Sequence, residues 1–102
     1  MFTAEYTAPG LEGTIEEGFA AREAYIRSLI ESLGGTVEVF YWAYGVADAV
    51  LVVDAPAAAA IAFAMTVSSH EDALHIVTTP LLTAEEMEEA RVLLPRFRPP
   101  GD

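Results

Sequence analysis

Tyr41-Trp42-Ala43-Tyr44-Gly45 leads through Val46 and Ala47 into Asp48-Ala49-Val50-Leu51-Val52-Val53-Asp54. Two runs rich in aromatic and β-branched residues, joined by a short link with a glycine, signal an antiparallel hairpin. Upstream, Thr36 to Tyr44 forms the whole first arm. Simple alternation puts Val37, Val39 and Tyr41 on one face, and Glu38, Phe40 and Trp42 on the other. Both faces carry large apolar groups and need cover. A chain of 102 residues has material for one sheet and one layer of helices. The hairpin therefore predicts one domain that associates with a second copy.

Working outward, Phe2 to Thr7 predicts a strand, with Phe2, Ala4 and Tyr6 on one side, and Ala8-Pro9-Gly10 ends it. Thr14 and Glu17 have capping-box spacing and open a helix that runs to Leu33. Its stripe is Ile15, Phe19, Arg22, Ile26, Leu29, Ile30 and Leu33, in which Arg22 is the polar exception. Gly18 inside this helix costs about 1 kcal/mol against alanine, so a start after Gly18 is the other reading. Gly34-Gly35 stops the helix, Gly34 as a left-handed cap.

Pro56 opens a second helix that runs to about Val67 or Ser68, with Asp54 as candidate cap. Leu74 to Thr79 predicts a fourth strand, with His75 and Val77 on one side. Thr83 and Glu86 form a second capping box and open a short acidic helix to Leu94. A proline-rich tail, 95–102, follows the single domain, 1–94. The order predicts an α+β fold, ferredoxin-like βαββαβ with an extra C-terminal helix.

Sixteen acidic residues stand against five basic ones, a formal charge of −11. That argues against nucleic acid and anionic membranes as partners, because both are bound through Lys and Arg. No lysine is present for Schiff-base chemistry and no cysteine for thiolate chemistry. No apolar run approaches a membrane span and no basic-then-apolar leader is visible, so a cytoplasmic location is expected.

The stretch from Glu31 through Ala90 resembles the GYD domain family, small proteins largely of uncharacterised function. The resemblance rests on Glu31-Ser32-Leu33-Gly34-Gly35, Phe40-Tyr41, Gly45 to Pro56, and Thr78 to Met87. Tyr6-Thr7 and the long first helix fit the same outline. Gly45 and Asp48 stand at the ends of the family's Gly-Tyr-Asp element, with Ala47 where the tyrosine belongs. The resemblance implies a homodimer, in the form of a dimeric α/β barrel of ferredoxin-like topology.

Asp48, at the mouth of an apolar strand, reads either as an Asx-type residue that bonds the hairpin backbone and fixes the turn, or as a ligand contact at a cavity rim. Gly45 reads as a structural turn position with positive φ. Tyr6 and Trp42 are candidate ligand-binding walls within an aromatic group, for which packing is the simpler reading. His75, Glu38 and Glu5 are the candidate catalytic groups: a histidine and two strand carboxylates that could exchange protons if they share a cavity. His70, Glu71, Asp72 and His75 cluster in sequence, but their spacing matches no strong metal signature, and no metal site is predicted. No motif calls for a cofactor. The functional expectation is a noncatalytic module that binds a small organic ligand or supports assembly, a homodimer or a higher homo-oligomer. The alternative is a small cofactor-independent or haem-using enzyme, monooxygenase- or isomerase-like, with its site in the barrel cavity. The sequence does not decide whether the chain is an enzyme.

Overall fold

In the computed structural model, which describes all 102 residues, the chain order is β1 (Phe2–Tyr6), α1 (Ala8–Glu17), α2 (Phe19–Ser32), β2 (Thr36–Trp42), β3 (Ala49–Asp54), α3 (Ala57–Ser68), β4 (Leu74–Thr78) and α4 (Ala84–Val92). The single long first helix is corrected to two. Thr7, not Thr14, is the first cap: its side chain accepts the Gly10 N–H, and Pro9 sits in the first turn, where its missing N–H costs nothing. Gly18 then takes φ 101° and ψ 137°, a conformation that only glycine adopts without strain, and the chain restarts as α2. The end of α2 follows the expected pattern. Gly34, at φ 85°, donates to Glu31 and Gly35 donates to Ile30, a Schellman motif.

The strands form one antiparallel sheet in the order β2-β3-β1-β4. The sheet is open, with β2 and β4 as free edges. This overturns the expected dimeric α/β barrel: the sheet stays open, its edges β2 and β4 do not meet, and it is not closed into a barrel. The α+β class, the four strands and the terminal helix α4 are present.

The hairpin carries a second correction. Val37 pairs with Val53, but Val39 pairs with Val52, so Glu38 is an extra, bulged residue. The bulge resets the alternation. Val37, Phe40 and Trp42 all turn toward the helices, while Val39 and Tyr41 share the opposite face. Gly45 does not have positive φ; the connection from Ala43 to Asp48 is longer than a two-residue turn and needs no left-handed residue. Asp54 ends β3 and does not cap α3, whose N-cap is Pro56 without a side-chain bond. Thr83 and Glu86 form the expected capping box of α4.

One face of the sheet builds the core. Phe2, Ala4, Val37, Phe40, Ala49, Leu51 and Leu74 pack under Ile26 and Ile30 of α2 and Phe63 of α3. The other face has no helix on it. Tyr41, Val50, Thr3 and Val77 lie in one cross-strand row there, beside Val39 and Val52, and Tyr41 is 70% exposed. Beyond β4 every residue from Leu81 to Asp102 is exposed. The radius of gyration is 17.0 Å, against about 13 Å for a compact chain of this length.

Candidate functional site

The helical layer does not close over the sheet. α3 is Ala57-Ala58-Ala59-Ala60-Ile61-Ala62-Phe63-Ala64-Met65-Thr66-Val67-Ser68, and its small side chains leave it separated from α2 above β1 and β4. The result is a cleft of about 300 Å³. Ala4, Tyr6, Leu74 and Ile76 form its floor; Arg22, Tyr25, Ile26 and Leu29 line it from α2; Phe63, Thr66 and Val67 line it from α3; His70, Asp72 and Ala73 close one end. Spacings of three and four residues put each helical set on one face.

Most of this lining is apolar, and the polar groups are few and mixed in charge. The Arg22 guanidinium lies 5.0 Å from the centre of the Tyr25 ring and 3.6 Å from a Glu17 carboxylate oxygen. Both contacts hold a cationic group at the cleft wall. The end loop is fixed to the start of α1. The Thr7 N–H donates to the Ala73 carbonyl at 2.9 Å, and its hydroxyl to the Asp72 carbonyl at 2.7 Å. Gly10 packs so closely that a Cβ would run into the Ala73 carbonyl.

The residues singled out from sequence fall in three places. Glu5 and His75 are direct cross-strand partners of β1 and β4, on the bare face and exposed. Neither takes part in the molecule's three ion pairs. Glu38 sits on the bulge of β2, two strands over and about four residues along, roughly 15 Å away by strand geometry. Glu5 and His75 thus lie side by side, Glu38 does not join them, and all three lie away from the cleft. Asp48 is a backbone partner: its Oδ2 accepts the Tyr6 N–H at 2.7 Å. Trp42 is packed by Phe19, Phe40 and Tyr6, with ring centres 4.9, 5.3 and 6.2 Å away, and lies outside the cleft lining. Tyr6 lines the cleft. No three His, Asp or Glu side chains converge to hold a metal ion.

Sequence reasoning passed over Arg22, Tyr25 and Thr66 as site residues. Arg22 left a trace as the one charged position in an apolar helical stripe. Tyr25 and Thr66 left none, because the gap they face arises from how α2 and α3 sit on the sheet. No helix is long and apolar enough to cross a membrane. No curated protein and no solved structure matches the chain. The GYD domain model matches residues 1–90, nearly the whole of the folded body, and the chain therefore belongs to the GYD domain family.

Proposed function

We propose that the protein is a homodimeric small-molecule-binding module that holds a compact apolar ligand with an anionic end in the cleft between α2 and α3. The cleft carries this reading. Its volume, about 300 Å³, falls at the lower end of the range for ligand pockets, and its apolar walls with few polar groups have the usual make-up of one. Arg22 offers the donors that orient a carboxylate, and the Tyr6 and Tyr25 rings offer flat walls to an aromatic or alicyclic body. His70 and Thr66 add hydrogen-bonding groups along the rim. Nothing in the cleft pairs a nucleophile with a base, which favours binding over chemistry.

The test is calorimetric titration of the intact protein with a panel of small aromatic and alicyclic carboxylates and their uncharged amides. Micromolar binding of a carboxylate is expected, weakened at least tenfold in the amide and in Arg22→Gln, because a charge-assisted bond contributes about 1.5–3 kcal/mol. Leu29→Trp, which fills the cleft from α2, abolishes binding and leaves the fold intact by circular dichroism. Binding unchanged in both variants overturns the reading.

The homodimer rests on surface. The protomer exposes 7401 Å², whereas a compact monomer of 10.9 kDa exposes about 5,600 Å². The excess is larger than the roughly 800 Å² per partner of a standard interface. The bare sheet face, with Tyr41, Val39, Val50, Val52 and Val77, is the apolar part of that surface best shaped to be covered by its own twofold copy.

A further inference from the structure

The C-terminal arm and a groove elsewhere on the body fit one another in chemistry. Arg91-Val92-Leu93-Leu94-Pro95-Arg96-Phe97-Arg98 holds three of the chain's five basic residues and no acidic one. Residues 1–80 hold eleven acidic residues against two arginines, a formal −9. Val92, Leu93, Leu94 and Phe97 are each more than 70% exposed. Arg96 makes no ion pair, and Arg98 donates only to the Asp102 carbonyl, at 3.1 Å. An apolar, basic segment thus stands in water beside an acidic body.

The groove lies where β3 ends, α3 begins and the chain leaves β4. It has a volume of about 740 Å³. Three carboxylates, Glu38, Asp54 and Glu86, rim an apolar bed that includes Val53, Ala57 and Ile61. None of the five arginines lines it. α4 starts at the rim through Glu86, and its nine residues carry the tail about 13 Å off before Pro95. The tail of the same chain is therefore directed away from the groove, and a second copy supplies the same segment with the same complement.

We propose that residues 91–98 of one protomer dock in the Glu38–Asp54–Glu86 groove of a second copy, the leucines and Phe97 on the apolar bed and Arg96 and Arg98 on the carboxylates. The exchange is reciprocal, so two tails and two grooves close under one twofold axis. Glu38, bulged out of β2, has a docking role here in place of a catalytic one.

The chain has no cysteine, which makes a disulfide trap clean. Phe97→Cys and Ile61→Cys are prepared as separate full-length proteins, mixed and oxidised at micromolar concentration. A covalent 97–61 heterodimer is expected as the main product, identified by peptide mass. Adding Arg96→Glu and Arg98→Glu to the first partner lowers its yield at least tenfold. Adding Glu38→Arg and Asp54→Arg to the second restores it. A double variant carrying both cysteines on one chain that closes mainly within the monomer overturns the proposal. So does a heterodimer yield indifferent to charge reversal. Circular dichroism of each variant separates loss of docking from loss of fold. Ligand titration of the cleft is independent of all these outcomes.

Discussion

Tyr6 has a backbone N–H that points from β1 toward β3, past the last paired residues of that ladder, Ala4 and Ala49. The Asp48 carboxylate meets it at 2.7 Å, and the Asp48 N–H returns to the Ala4 carbonyl at 2.8 Å. One acidic residue thus extends the ladder with its side chain where the backbone can no longer do so. Asp48→Ala leaves the Tyr6 N–H without its partner, and urea unfolding should show a loss of about 1.5–3 kcal/mol, the usual range for a hydrogen bond to a charged group. Asp48→Asn keeps an acceptor and should lose about half as much. That Asp48 bonds backbone was readable from its place at the mouth of an apolar strand, but the expected partner was the hairpin's own backbone and the observed one belongs to β1. Which N–H it meets was not readable, since Tyr6 lies 42 residues earlier and only the sheet order brings it near. Arg22 shows the same divide: its oddity within the helical stripe was visible in sequence, and the cleft that gives the oddity a purpose was not.

At the scale of elements, the strands and the capped start of α4 were legible because each is set by neighbours a few residues away, whereas the cap of the first helix was placed at Thr14 and lies at Thr7. The bulge at Glu38 was not. With large apolar residues on both faces of the hairpin, alternation alone gives no register, and only packing under α2 brings Val37 and Phe40 to the same side. The division of the first helical segment was half legible. Gly18 marked a weak point, but Pro9 was read as a terminator when its place in the first turn of α1 suits a helix start. Gly18→Ala should lower stability by about 1–2 kcal/mol, because its φ of 101° strains any residue with a Cβ. Gly10→Ala should lose more, about 2–3 kcal/mol. Its new methyl group has to displace the backbone of the Ala73 loop and not merely a flexible side chain. Thermal unfolding distinguishes the two, since each kcal/mol moves the midpoint by about 4–8 °C in a domain of this size. The same Gly10 variant shifts His70, Asp72 and Ala73 at the cleft's end, so its ligand affinity should fall along with its midpoint.

At the scale of the whole molecule, self-association was anticipated from a sheet apolar on both faces, and the structure leaves one of those faces bare. The barrel was not a physical inference from these strands; it came with the resemblance, and the free edges β2 and β4 remove it. Two surfaces now stand open to a second copy, and salt separates them. The bare sheet face offers valines and Tyr41, so its pairing is driven by apolar burial between bodies that repel through a formal charge of −11 each. The tail and its groove attract through arginine and carboxylate. Raising the ionic strength from about 0.05 M to 0.5 M shortens the Debye length from about 14 Å to about 4 Å and screens both terms. Sheet pairing should then tighten or hold, and the tail-to-groove disulfide yield should fall severalfold. Tyr41→Glu together with Val50→Glu places like charges in one cross-strand row on each protomer and faces them against their own copies. Sedimentation equilibrium at the higher salt concentration, where the tail contact is screened, should show that variant at least tenfold weaker in self-association than the unaltered protein. A variant that associates as tightly as the unaltered chain would mean that the bare face meets no second copy.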